Sequence, residues 1–274
     1  FSGSGLDASA AYNILIVGNG GQRYFGVSTA DWAEGFAGKT EKQVYEQAQA
    51  VVSGANNNLE TDNSQAIPSN EILMTGSATR DAGQAAIASR LIRAVSRFDV
   101  VNGKYDSYDM VSVSVWNAFP STSVFGGGTL DYTGTHLKRF YGVDNTTNER
   151  EGGEGYLGNI SGGLYAFENQ VVSPADADAL TTCLIIGLAP RTDIITGEGQ
   201  QQQTWSAGDA KYYRVNISPK ESAQVLKRNK VYKLTIRGVV SPGADYESEA
   251  FTGSSSNLAY VINYWDLDDD GLIM

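Results

Sequence analysis

The sequence predicts an all-β fold with one or two short helices, arranged as two tandem antiparallel β-sandwich domains. Three observations predict it. Apolar residues alternate with polar ones in run after run, the period of a half-buried strand. The 274 residues include 31 Gly and 15 Tyr, and chains rich in Tyr, Gly, Ser and Thr favour strands joined by many turns. Only one segment carries both a helix start signal and a helical period. Strands that follow one another without intervening helices close into sandwiches, and a chain of this length has room for two.

The elements follow in order. Residues 1–11 are small and polar. Asn13-Ile14-Leu15-Ile16-Val17 reads as a buried strand, and Gly18-Asn19-Gly20-Gly21 as the turn after it. Thr40-Glu41-Lys42-Gln43 is a capping box, in which the Thr hydroxyl serves an orphan N–H and Gln43 reaches back. Val44, Tyr45, Ala48, Val51 and Val52 then recur at helical spacing, which predicts an amphipathic helix over 41–52. Residues 55–70 read as loop, and Ile72-Leu73-Met74 as a strand. The run 91–101 sets Ile92, Ala94, Phe98 and Val100 on one parity and Arg93, Arg97 and Asp99 on the other. A helix also satisfies parts of that run. Val111, Val113 and Val115 alternate with Ser112 and Ser114, a half-buried strand. Gly126-Gly127-Gly128 breaks the pattern and marks the expected boundary between domains at 1–127 and 128–274.

In the second half, 141–163 and 193–208 read as loops. Strands are expected at Leu164–Phe167, at Thr182–Leu188, around Tyr213, Val215 and Ile217, around Tyr232, Leu234 and Ile236, and at Leu258–Trp265. An acidic tail, Asp266 to Met274, closes the chain.

The charge balance narrows the function. Twenty basic residues against 31 acidic ones give −11, which argues against nucleic acid and anionic membranes as partners. No stretch approaches the ~20 apolar residues of a membrane span. The single Cys183 excludes an internal disulfide and sits in an apolar run, so it reads as a small buried hydrophobe. The single His136 has no nucleophile motif beside it.

Other motifs carry little chemistry. Asp266, Asp268, Asp270 and Gly271 resemble the opening of a calcium loop, yet the chain stops before the bidentate Glu that such a loop needs. The glycine clusters lack the Lys-Ser/Thr ending of a phosphate loop and read as turns. Glu149, Glu151 and Glu154 lie in a polar loop, where solvated charge is the simpler reading than a glycosidase pair. Trp32, Trp116, Trp205 and Trp265 are candidates for a sugar platform, although aromatics flanking strands usually pack in cores. The glycosylation-type triplets at Asn145, Asn159 and Asn216 occur often by chance.

Four segments point further. Arg228-Asn229-Lys230-Val231-Tyr232 opens a strand, and a later strand ends in Trp265. Tyr165-Ala166-Phe167-Glu168-Asn169, Tyr212-Tyr213-Arg214-Val215 and Gly38-Lys39-Thr40 lie upstream of it. Taken in their order along the chain they resemble the fimbrillins of Bacteroidales, the FimA/Mfa1-like major subunits of type V pili. The resemblance implies two transthyretin-like β-sandwich domains. It implies export through the periplasm as a lipoprotein precursor, and a place in a fimbrium at the outer membrane that supports adhesion. It also implies that an arginine-specific protease removes the first strand and that the chain is the processed form. The groove beside Ile14, Leu15, Ile16 and Val17 would then accept an extended strand from a neighbouring subunit.

Physical argument agrees with that scheme. A sandwich short of a strand leaves a row of unpaired backbone groups and an apolar slot, which an extended segment can fill. In the tail, Trp265, Leu267, Gly271 and Ile273 share one parity, interrupted by Asp269, while Asp266, Asp268 and Asp270 face the other way. The expected partners are identical or related fimbrial subunits in a head-to-tail polymer, together with host or bacterial surface receptors. No cofactor, no metal, no catalysis and no membrane insertion of the mature chain are expected. The alternative is a secreted glycan-binding β-sandwich module or a fimbrial tip adhesin. A hydrolase is the third reading.

Overall fold

The structure is a computed structural model. It describes residues 7–51, 67, 71–119, 121–126, 137–144, 159–168, 182–199, 202–217, 226–253 and 257–266, and for 137–144, 159–163 and 264–266 the backbone alone. The chain is mostly β-strand with four short helices among these residues. It divides into two compact units.

The first unit holds β1 (Tyr12–Gly18), α1 (Gln22–Phe25), α2 (Thr29–Glu34), α3 (Glu41–Gln47), β2 (Gln49–Val51), β3 (Met74–Arg80), β4 (Ile92–Arg93) and β7 (Ser121–Ser123). Strands β1, β3 and β4 form one antiparallel sheet in that order, and β2 pairs with β7. The capping box predicted at Thr40 is present: Gln43 N–H donates to Thr40 Oγ1 and Thr40 N–H to Gln43 Oε1. The helix it opens ends at Gln47, five residues short of the expected 52. Ala48 turns extended, and Ala50 is buried between exposed Gln49 and Val51. There the period has become two, because pairing with β7 overrides the helical spacing of the apolar residues. The core of this unit is small: Tyr24, Ala48, Ala50, Leu73, Ala94 and Val124 are its most deeply buried apolar side chains.

The second unit is a sandwich of two four-stranded sheets. One runs β13 (Lys211–Asn216), β10 (Cys183–Pro190), β6 (Tyr108–Ala118), β8 (Leu137–Asp144); the other runs β15 (Leu258–Asp266), β14 (Lys230–Val239), β5 (Val95–Asn102), β9 (Asn159–Phe167). A small hairpin, β11 (Ile194–Thr196) with β12 (Gln203–Trp205), stands apart. The sheets face each other through Leu184 and Val215 on one side and Phe98, Tyr232, Leu234 and Ile262 on the other. The last helix, α4 (Glu247–Thr252), covers the opposite face of the first sheet, where Trp116, Cys183 and Ile185 pack against Ala250 and Phe251. Strand β10 is therefore buried on both faces over all eight residues, which explains why it reads as a continuous apolar run.

Three expectations are corrected here. Residues 95–119 were expected in a first domain ending at 127, yet β5 and β6 pair with β14, β9, β10 and β8. The chain leaves the first unit at Ala94 and returns at Ser121. Glycines signal a turn but not which sheet the next strand joins. Second, β14 and β5 run parallel; they lie far apart in sequence, so no hairpin constrains their direction. Third, the supposed loop 141–163 holds the end of β8 and the start of β9.

Two of the segments that carried the resemblance, those at Arg228–Tyr232 and Tyr165–Asn169, meet in a structural corner. Asn229 adopts a left-handed φ of 58°, and its N–H donates to Val95 O at 2.8 Å. Lys227 N–H donates to the Tyr232 hydroxyl at 3.0 Å, and Ser96 Oγ donates to Lys227 O. Arg228 pairs with Glu168, so two motifs sixty residues apart meet in one ion pair. These groups fix where β14 begins; they point at no ligand.

Candidate functional site

The predicted acceptor residues lie in β1, which is the outer strand of its sheet: β3 pairs with it along Tyr12↔Arg80 to Gly18↔Met74, and no described strand pairs with its other edge. The far side of β3 is already accompanied. Strand β4 pairs with Met74 and Thr75, Ser89 Oγ donates to Ser77 O, and a side chain at Gly76 would meet Arg90 O at 2.5 Å. Ile14 and Ile16 point to one face of the sheet, Leu15 and Val17 to the other, and all four are only half-buried. Both faces of this edge strand are thus apolar, and neither is fully covered by described residues.

The start of β1 is pinned by Tyr12, whose hydroxyl accepts from Asp7 N–H at 3.0 Å and whose ring faces the Arg80 guanidinium. Hydrogen bonds from Ser9 hold the Asp7 carboxyl below the usual carboxylate range. At the other end Asn19 and Gly21 turn the chain with left-handed φ. Asn19 Nδ2 donates to Ile72 O, as expected of a turn and not of a phosphate cradle.

Of the predicted donor residues, Trp265 lies near the end of β15, where its backbone pairs with Val231. Leu267, Gly271 and Ile273 lie outside the described residues, as do His136, Glu149, Glu151, Glu154 and Asn145. Trp116 and Trp205 are buried, the first stacked on Phe251, the second donating to Asp209 O. Trp32 is half-buried and stacked on Phe25 at 4.2 Å. These three serve packing. Cys183 is fully buried, and burial pushes its thiol up to about 12 against an opposing pull from Arg214, so it is no nucleophile.

One group of residues escaped sequence reasoning. Arg214 is 8% exposed. Its Nε donates to Asn216 Oδ1 and its Nη1 to Phe251 O at 2.6 Å, with the Phe251 ring 5.2 Å below the guanidinium. The sequence signal for α4, which supplies Phe251, was slight: Glu247 and Glu249 in the first turn, Gly253 after the last. Among the described residues no cluster of three or more His, Cys, Asp or Glu could hold a metal, and no helix is long and apolar enough to cross a membrane.

None of the known family models matches the chain, and no curated protein matches it. Among solved structures it is similar to a candidate cell adhesion protein from Bacteroides eggerthii, at 15% identity and a TM-score of 0.47, over 84% of this chain and 73% of that one. It is also similar to the tip fimbrial protein Mfa3 from Porphyromonas gingivalis, at 14% identity and a TM-score of 0.45, over 92% of this chain and 80% of that one.

Proposed function

We propose that the chain is a structural subunit of a surface fimbria that supports adhesion and polymerises head to tail by strand donation. The observation that carries this reading is β1: four consecutive apolar residues, apolar on both faces, half-buried, on an outer strand whose second edge no described strand occupies. An incoming extended segment would complete the backbone ladder and cover Ile14, Leu15, Ile16 and Val17. The segment proposed to enter is the acidic tail of another copy. Leu267 and Ile273 would gain roughly 1.5–3 kcal/mol each on burial, and each ladder hydrogen bond about 1 kcal/mol. Asp266, Asp268 and Asp270 would stay on the wet face. A donor that reaches a neighbour and not its own groove gives an open filament. Export as a lipoprotein precursor, removal of a first strand and attachment at the outer membrane belong to the same proposal.

Deleting residues 267–274 tests it. Negative-stain microscopy is expected to show monomers in place of filaments. A synthetic peptide covering Trp265–Met274 is expected to slow amide exchange in Asn13–Val17 of the truncated chain. Filaments that form unchanged without the tail would sink the donor assignment.

A further inference from the structure

A cleft of about 140 Å³ opens at the outer edge of β13, beside α4. Its walls include Tyr212 and Arg214 from β13, Ala244, Glu249 from α4, and Asn257 just before β15. The wall at Ala244 is held against β13 by two backbone hydrogen bonds, Tyr212 N–H to Ala244 O and Ala244 N–H to Tyr212 O. Gly243 permits that approach: a side chain there would meet Tyr212 O at 2.3 Å. Arg214 is held by its bonds to Asn216 and Phe251, and Asn257 Nδ2 donates to Pro242 O. Glu249 is exposed, and Tyr246, the residue before α4, stands 65% exposed.

We infer that this cleft binds one neutral monosaccharide residue, such as the terminal sugar of a surface glycan. The site goes beyond the assembly role and does not depend on it. The volume matches four or five waters at ~30 Å³ each, the space of a single sugar ring and well below the ~300–1,000 Å³ of sites for larger molecules. Arg214 and Glu249, residues of opposite charge, are both among those that line it. That pairing disfavours a free anion or cation and suits hydroxyls, which both donate and accept. Tyr212 and Tyr213 add aromatic residues to the lining, and Asn257 an amide-bearing one.

The test is an amide NMR titration of the full ¹⁵N-labelled chain with N-acetylglucosamine, galactose, mannose and fucose, each to about 50 mM, with sulfate as a parallel probe. At least one sugar is expected to shift the amides of Arg214, Ala244, Gly253 and Asn257, with a dissociation constant on the order of 1 mM. Glu249→Gln and Asn257→Ala are each expected to weaken binding about 10-fold, the first with the thermal midpoint unchanged. The chain lacking residues 267–274 should bind as well as the full chain, so this result and the filament result are read independently. Absence of shifts with every sugar, shifts confined to another surface, sulfate binding in place of sugar, or equal affinity in both variants would each overturn the assignment.

Discussion

Ile14, Leu15, Ile16 and Val17 of β1 form an unbroken apolar run, and so do Leu184, Ile185 and Ile186 of β10. In β10 these side chains are 2% exposed or less, because a facing sheet covers one side and α4 the other. In β1 none is fully buried, and the strand lies at the edge of a three-stranded sheet. An apolar run on both faces states a demand for two covers. The second unit meets it within its own described chain; the first meets it by half. Its buried core leans on Ala48, Ala50 and Ala94 while its largest aliphatic run stays partly wet. The difference teaches that strand composition sets what must be covered but not who supplies the cover.

The largest expected effect breaks or upholds that contrast directly. Ile186→Ala should cost about 2–5 kcal/mol, the range for deleting a fully buried aliphatic side chain. Ile16→Ala in the isolated subunit should cost about 1 kcal/mol or less, since part of that surface is already solvated. Urea denaturation of both variants measures the difference. Equal losses would mean that β1 is already packed as tightly as β10, and the proposed acceptor edge would have no work to do. Adding the Trp265–Met274 peptide sharpens the comparison: the midpoint of the unsubstituted chain should rise more than that of Ile16→Ala.

Much of this fold was legible in the sequence. Period-two runs placed β6, β13 and β14, continuous apolar runs placed β1 and β10, the stretch Leu258–Trp265 placed β15, and the capping box placed the start of α3. The failures share a physical cause, that the missing information was tertiary. Residues 49–51 followed a helical spacing until pairing with β7 claimed them. Helices α1, α2 and α4 span four to six residues, too short for a period to show. The domain boundary failed because a glycine run cannot tell which sheet receives the next strand. The proposed acceptor edge was half legible: Asn13–Val17 was visible as a strand, and only the resemblance set a groove beside it. The cleft at β13 was invisible, since it assembles Arg214, Glu249 and Asn257 from three separated segments.

An intermediate effect separates the buried thiol from the buried tyrosines by pH. The Cys183 thiol is raised by burial from its ordinary 9.0 to about 12. Tyr24 in the first unit is raised by burial from 10.0 to about 12, with its hydroxyl donating to Glu71 O. Each group is neutral when protonated and has a folded pKa above its unfolded one. The unfolded chain therefore binds fewer protons between the two values, and stability falls as pH rises through that window. The thiol's loss starts near pH 9; Tyr24 in the first unit and Tyr213 in the second, whose hydroxyl burial also raises, add theirs from near pH 10. By about pH 10.5 the thiol alone should have cost about 2 kcal/mol. Cys183→Ala should flatten the stability curve between pH 9 and 10 and leave the decline above pH 10. A slope between pH 9 and 10 that the substitution does not change would show that the thiol is not sealed from water and that the cover supplied by α4 is incomplete.

The smallest effect compares two corners built alike. Tyr12 and Tyr232 each accept, through the hydroxyl, the N–H of the residue five positions earlier, Asp7 and Lys227, at 3.0 Å in both cases. One corner opens the half-covered strand β1, the other the strand β14, whose Val231, Tyr232, Leu234 and Ile236 are buried. The bond at Tyr12 is exposed; the one at Tyr232 is partly buried, and Tyr232 itself is 7% exposed. Water can replace the first hydroxyl almost without cost. At the second, removal leaves the Lys227 N–H short of a partner in a place that water reaches less easily. Tyr232→Phe should therefore lower stability by about 1 kcal/mol and Tyr12→Phe by a few tenths, measured by urea denaturation on the same preparation. Amide exchange at Lys227 should quicken in the first variant, and at Asp7 it should already be fast in the unsubstituted chain. If Tyr12→Phe proved the costlier change, the start of β1 would be more firmly held than its exposure implies, and the edge proposed to receive a neighbour would have to be sought elsewhere.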